Sequence, residues 1–348
     1  MFKNLRNNYY FGKAGKADYT VEDMPTNRWQ LFTVTLRTRL SALLKVNLLY
    51  AIAFVPALIV LVIYLSNIWQ VMIQTDLGDG TTLYSMTLQQ ATEEEREGAA
   101  PGVVLSGKDA NSLTDYNLFH MLLWLAPCIA LTGPFTAGVS YLTRNWARDE
   151  HAFPWSDFKD ALKDNWKQGL AVSTITGALF PLLYVAYTFY RDMAQTQLFM
   201  VVPQAIVAIL AILWALAVTY MYPLMVSYEM RFWDLMRNAF LLAVARLPFS
   251  AGIRLLHCVP AGLAIGVIFL FPGAMSYAVM ALFLWYALLG FMLSRFVTAS
   301  YTNAVFDRFI NPNIRGAKVN RGLYHEEDDA EDVPAEAQED KSFDKPEA

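Results

Sequence analysis

The sequence is short of charge. Asp, Glu, Lys and Arg make up 17% of its 348 residues, where a soluble globular domain carries roughly 25%. A chain so poor in ionisable groups and 55% hydrophobic does not cover a water-exposed surface, and lipid is the solvent that fits it. Acid is missing where ion coupling needs it most: no Asp or Glu falls inside any long apolar run. Proton- or sodium-coupled transport rests on a buried carboxylate or a cage of oxygen ligands, so that class loses its usual basis. Cysteine is nearly absent. Cys128 and Cys258 lie in different apolar runs, which argues against a disulfide framework or a metal site and leaves two buried thiols.

Catalytic signatures are missing too. The four histidines are scattered, and neither HExxH nor GxSxG occurs. Residues 12–17, GKAGKA, lack the spacing and the terminal Lys-Ser/Thr of a phosphate loop. The D-x-x-D-G run at 76–80 has no Ala-Arg pair and no second carboxylate pair after it, so it does not make a membrane phosphotransferase. No catalytic, cofactor-binding or metal-ligating set emerges. The chain reads as a non-enzyme, with no cofactor called for.

Long apolar runs are abundant. They occur at about 43–65, 118–142, 170–190, 198–226, 253–272 and 276–299, each near the 20 or so helical residues that cross a hydrocarbon core. The fold class expected is all-α, a polytopic membrane bundle of about six spans. The first run comes after some forty polar and basic residues and lacks a small-x-small cleavage site, so it reads as a span and not as a signal peptide. Of the 27 Lys and Arg, 22 fall in segments 1–42, 143–169, 227–254 and 300–348. Cations are retained on the cytoplasmic side, which places both termini in the cytoplasm. Acids are segregated: Glu93, Glu94, Glu95 and Glu97 fall in the long connection after the first span, and the end of the chain is acidic from Glu326. That pattern gives no nucleic-acid partner.

The chain divides into three domains: a cytoplasmic arm at 1–42 with an amphipathic helix, a six-span membrane region at 43–310 with an outer insert at 76–117, and an acidic disordered tail at 311–348. Within them a unit of amphipathic helix plus two-span hairpin recurs three times. Its apolar face reads Trp29, Phe32, Leu36, Leu40, Leu43, then Trp155, Phe158, Leu162, Trp166, Gly169, then Trp233, Met236, Phe240, Val244, Leu247. Pro56, Pro181 and Pro260 come next at similar distances, and the even spans end in Ser140-Tyr141, Ser227-Tyr228 and Ser300-Tyr301. Two-span units repeat in one orientation, so the repeats are expected to be parallel.

Small residues mark helix contacts. Gly169, Ser173 and Gly177 form one stripe and Gly262 and Gly266 another. Packing within the chain is the simpler reading, and a dimer seam the alternative. Lys45, Arg254 and Arg295 sit near the cytoplasmic ends of spans, where long side chains snorkel. His120 and His257 read as packing histidines sooner than as a proton relay.

The cytoplasmic helix at 155–168 carries Asp157, Lys159, Asp160, Lys163, Asp164 and Lys167 opposite its aromatic face. Such a helix lies on the bilayer surface or docks a partner protein. Around it, residues 133–168 contain Gly133, Pro134, Thr136 and Ala137 at the end of a span, then Arg144 and Trp146, then Phe158, Asn165, Trp166 and Gln168. This Gly-Pro-x-Thr-Ala, Arg-x-Trp and Asn-aromatic-x-Gln pattern resembles the YesL family of bacterial membrane proteins. The resemblance implies a domain of unknown function encoded near carbohydrate uptake systems, and it supplies no catalytic residue. The long outer insert and the acidic tail depart from that family.

The function expected is therefore a non-enzymatic accessory protein of the cytoplasmic membrane that serves carbohydrate uptake or its regulation. Its partners would be the lipid bilayer and the permease or ATPase of a carbohydrate ABC transporter. The alternative is a carrier or pore for a neutral solute, lined by Asn47, Ser173, Thr174, Thr176, Gln204 and Thr219.

Overall fold

The computed structural model describes residues 24–78, 80–90, 93 and 102–324. It is an all-α bundle with six helices long and apolar enough to cross a membrane. Helix α1 spans Arg28–Ile73, the short α2 Leu83–Gln90, α3 Gly107–Trp146, α4 Ser156–Ala194 and α5 Val201–Ser227. Helix α6 is Phe232–Ala245, α7 Leu247–Leu270, α8 Met275–Trp285 and α9 Phe291–Phe309. A π-helical turn, Tyr286–Gly290, joins α8 and α9 into the sixth span. Among the described residues there is no β-strand beyond an isolated bridge, Thr75 to Leu105.

Helix α1 begins where the Asn27 side chain accepts the Gln30 N–H at 2.9 Å, capping a donor the helix leaves free. From there 46 residues run unbroken, about 70 Å at 1.5 Å per residue. The amphipathic helix and the first span are thus one rod, and α4 repeats that arrangement. In the third unit the helix breaks at Arg246, between α6 and α7. Odd-numbered spans start, and even-numbered spans end, at the end of the bundle that collects Arg28, Arg144, Arg148, Arg246 and Arg308, here called the basic end.

The hairpin of α3 and α4 is the tightest contact in the fold. A Cβ built on Gly133 falls 2.1 Å from Ser173 Oγ and 2.2 Å from the Gly169 carbonyl oxygen, and one on Gly177 falls 2.5 Å from the Ala126 oxygen. Only glycine lets the two backbones approach so closely. Ser173 Oγ donates across the contact to the Ala130 carbonyl at 2.7 Å. Thr136 binds Tyr50 of α1 through the hydroxyls at 2.8 Å. The second small stripe behaves differently. Gly262 and Gly266 have no neighbour within 4 Å of a built Cβ, so the expectation of packing within the chain holds for the Gly169 stripe and fails for this one. Among the described residues, span 5 has no partner on that side. Its Cys258 is exposed and Cys128 of span 2 partly so, which corrects the expectation of two buried thiols: an apolar run shows that a residue sits in a span, not which way it faces.

Two apolar cores lie toward the basic end. One gathers Leu43, Tyr50, Leu142, Trp146, Phe158 and Phe296 from α1, α3, α4 and α9. The other packs Trp214, Tyr220 and Leu224 of α5 against Leu235 and Ala239 of α6 and Phe306 of α9. Helix α7 contributes one buried residue, Ser250, whose hydroxyl meets that of Tyr220 at 2.7 Å.

Asn47 ties the sixth span to the first. It is fully buried, and its Nδ2 donates to the carbonyls of Tyr286 and Ala287 at 2.9 and 2.7 Å while its Oδ1 accepts the Met292 N–H at 2.9 Å. A π-turn opens the helical ladder, and in lipid the freed backbone groups need a protein partner. Asn47 supplies it.

At the opposite end, α3 starts at Gly107, so the last part of the segment expected as an outer loop, 76–117, is helical. Ser106 caps it, accepting the Asp109 N–H. Asp76 is a turn residue: its Oδ1 accepts the N–H groups of Gly78 and Gly80 at 2.9 and 2.8 Å. Asp115 of α3 pairs with Arg191 of α4 at 2.7 Å. Glu94, Glu95 and Glu97 of the acidic run lie outside the described residues. The tail expected to be disordered from 311 is ordered through 324. It forms a 3-10 turn, Asn311–Asn313, and returns to α1, where the Tyr324 N–H donates to the Pro25 carbonyl at 3.0 Å. Residues 325–348 lie outside the described residues.

Candidate functional site

Six residues of the Gly-Pro-x-Thr-Ala pattern and its continuation serve packing. Gly133 and Pro134 form the α3 side of the close contact, Thr136 bonds Tyr50 of α1, Ala137 and Trp146 are buried in the two cores, and the Phe158 ring lies on Gly138. The remaining motif residues face the basic end. Asn165 and Gln168 line a cleft of about 880 Å³ between α4 and the α5–α6 connection. Gln168 Nε2 reaches across it to the Met230 carbonyl at 2.8 Å. Trp166 points outward, half exposed, with Lys167 Nζ 5.7 Å from its ring centroid.

The charged residues of α4 divide between two sides. Asp157, Asp160 and Asp164, spaced i, i+3 and i+7, line the cleft, as does Lys167 at its rim. Lys159 and Lys163 do not line it and are exposed. The helical repeat of 3.6 residues therefore sorts a mixed-charge sequence into an acidic wall and a basic outer side. Glu229 faces the acids from the far wall, with Arg231 beside it. Asp157 also holds the helix start, its Oδ2 accepting the Phe153 N–H at 2.9 Å.

A second cavity, about 260 Å³, shares Ser227 and Tyr228 with the cleft. Its charge is opposite: Arg144, Arg148, Lys318 and Arg321 line it, with Asp307 the single carboxylate on its wall. Asp307 is already engaged by Arg28, and Glu150 by Arg148 and Arg321. Arg144 makes no ion pair among the described residues; its Nη1 donates to Asn145 Oδ1 at 3.0 Å, and its buried Nε has no partner. Ser227 Oγ is likewise buried without a partner. The Tyr228 hydroxyl donates to Asn311 Oδ1 at 2.6 Å. Burial, with the Asp307 carboxylate nearby, pushes the phenol up to about 12, so Tyr228 stays a neutral donor at physiological pH.

The segment after α9 closes one side of this second cavity and is held by contacts next to it. Asn320 accepts from Arg28 at 2.8 Å, and Gly322, at φ +80°, passes so close to the Arg148 carbonyl that a Cβ there falls 2.8 Å from its oxygen. Sequence reasoning found Arg144 and Gln168 and missed Arg148, Asp307, Asn311 and Arg321. Their signal was weak because they lie in a stretch read as loop or tail. Tyr228 was visible, as a Ser-Tyr repeat marker without a role.

The polar residues suggested as a carrier lining do not gather. Asn47 locks the π-turn, Ser173 bridges α4 to α3, and Thr176 Oγ1 accepts from Trp214 Nε1 at 3.1 Å. Thr174 is exposed. Thr219 lines a cavity among α1, α5, α7 and α9.

Residues 115–187, from the first third of α3 to near the end of α4, match a family described as "Protein of unknown function, DUF624". The match covers the close hairpin and the acidic wall of the cleft. It takes in Arg144 and Arg148 of the basic cavity and stops before Tyr228 and the last three spans. The chain matches no curated protein and no solved structure.

Proposed function

We propose that the protein is a non-enzymatic accessory component of a bacterial cytoplasmic membrane, whose cleft at the head of α4 docks a cation-bearing segment of a transport partner. The observation that carries this reading is the sorting of charge on α4: three acids and one lysine, Lys167, on the cleft wall and two lysines off it. A helix that merely lay on a bilayer would gain nothing from a concave acidic side. The exposed Trp29, Trp155 and Trp233 at the starts of α1, α4 and α6 suit the headgroup level of a membrane, which leaves the cleft in water just beyond it. The excess of Lys and Arg at this end supports a cytoplasmic orientation for it and for both termini. The three tryptophans also favour the parallel threefold repeat. The likeness of residues 133–168 to the YesL family points to carbohydrate uptake as the setting and to a permease or ATPase as the partner.

The test is affinity purification in mild detergent from a native host, quantified by mass spectrometry against an untagged control. Replacing Asp157, Asp160 and Asp164 together by Asn keeps shape and removes charge. Recovery of the transport partner is expected to fall about tenfold or more, with yield and elution volume unchanged. Lys159→Gln with Lys163→Gln is expected to leave it intact. An unchanged partner list for the triple variant, or recovery of the chain alone from wild type, overturns the proposal.

A further inference from the structure

Away from the basic-end cleft, a cavity of about 210 Å³ sits among α1, α5, α7 and α9. Two arginines line it, Arg254 of α7 and Arg295 of α9, together with His257. No carboxylate lines it, and none of the spans around it carries an acid within its apolar run. Both arginines, expected near the cytoplasmic ends of spans, are partly exposed and turn toward this cavity. Arg254 lies seven residues into α7, roughly 10 Å along its axis, and its buried Nε has no hydrogen-bond partner. The Arg295 guanidinium lies 5.7 Å from the Tyr222 ring centroid. Thr219 Oγ1, also buried and without a partner, lines the same space.

Two unneutralised guanidinium groups in an apolar bundle are costly unless an anion joins them. Guanidinium forks match phosphate oxygens in geometry as well as charge. The orphaned Thr219 hydroxyl and His257, whose Nε2 is 3.5 Å from Thr298 Oγ1, add polar partners on the same walls.

A second, apolar groove continues along the same side of α7. Arg254 and His257 belong to the polar cavity, and Pro260, Ala264 and Val267 to a groove of about 430 Å³ closed by α8. Spacings of 3, 3, 4 and 3 keep these five residues on one helical face. On the other wall the two spaces meet at adjacent residues, Trp285 lining the groove and Tyr286 the cavity. The π-turn held by Asn47 sets that junction.

We infer that this crevice binds an anionic phospholipid, its phosphate between Arg254 and Arg295 and one acyl chain along Pro260, Ala264 and Val267. A polar, acid-free pocket and an apolar trough laid end to end are the two halves of an amphiphile. The lipid would neutralise the arginines and fill the groove between span 5 and α8.

The experiment uses the full chain, purified in a non-ionic detergent and delipidated. Binding of phosphatidylglycerol, phosphatidylcholine and glycerol 3-phosphate is measured by native mass spectrometry and by the shift in melting temperature. Phosphatidylglycerol is expected to bind at least about tenfold more tightly than phosphatidylcholine, and Arg254→Gln with Arg295→Gln to erase that preference. Ala264→Trp, which fills the groove and leaves both arginines in place, is expected to weaken phosphatidylglycerol binding by a similar factor; it carries the test if the double variant does not elute as a folded monomer. Equal binding of the two lipids overturns the inference. So does a preference that survives both sets of substitutions. Competition by glycerol 3-phosphate as strong as by the lipid, with Ala264→Trp silent, overturns it as well and assigns the cavity to a soluble anion instead.

Discussion

The α3–α4 hairpin and the α7–α8 hairpin are built from similar ingredients, apolar helices with glycines four or eight residues apart, and the bundle uses them in opposite ways. In the first, Gly133, Gly169 and Gly177 bring two backbones together, with Ser173 donating across the seam. In the second, Gly262 and Gly266 meet no neighbour among the described residues, and the helices flank a groove. Lipid supplies no hydrophobic drive between helices, so association rests on close packing and on polar contacts. The first hairpin has both. The second has almost neither, and beside it Arg254 of α7 and Arg295 of α9 line a cavity that an outside anion would complete. A glycine stripe therefore tells that a close approach is possible, and the neighbour decides whether it happens.

The largest test of this contrast is Gly133→Leu. The new side chain has nowhere to go, and a loss of about 3 kcal/mol or more is expected, seen as a collapse of monodisperse yield in detergent. Asn47→Leu comes next. It keeps volume but strands two carbonyls and one N–H, costing about 2–3 kcal/mol. The expected sign is a lower melting temperature, with faster hydrogen exchange confined to Tyr286–Gly290 and Met292. Unchanged exchange there would mean that the π-turn holds without its partner from α1. Asp115→Asn breaks the pair with Arg191 at the far end of the tight hairpin. Both side chains are at least a third exposed, so the cost is at most about 1 kcal/mol, and raising salt should shrink the difference from wild type. Gly262→Leu is the smallest. With open space at its Cβ and a gain in helix propensity, melting of the lipid-free monomer should stay within about 0.5 kcal/mol of wild type or rise. A large loss there would reveal a contact that the chain alone does not provide.

The polytopic helical class and the place of each span were readable because a helix in lipid satisfies its own backbone and leaves a long apolar run as its trace. The alternation of cations along the chain likewise announced which helix ends lie together. Residues at the sites were less readable for two distinct reasons. Arg148, Asp307, Asn311 and Arg321 come from segments more than 150 residues apart, and nothing local in 311–324 shows that it folds back on α1. Arg254 and Arg295 did stand out, and snorkelling was the economical reading for each taken singly. Only the fold shows that the two line one cavity, with no acid among its lining residues.

By itself the sequence determined the features that rest on short-range pattern: the all-α class, six spans, the amphipathic helices at one end and the acid-bearing face of 157–167. A period of 3.6 residues and a length of about 20 are properties of one helix in its solvent, so they need no partner to be read. Tertiary structure alone decided which glycines meet a backbone, that Asn47 closes the open turn of the sixth span, that the lysines at 159 and 163 stand off the cleft, and that two arginines share an uncompensated pocket. Each of these is a relation between groups that the fold, not the local sequence, brings together or holds apart. Its energy depends on separations of about 3 to 4 Å that spacing along one helix does not fix.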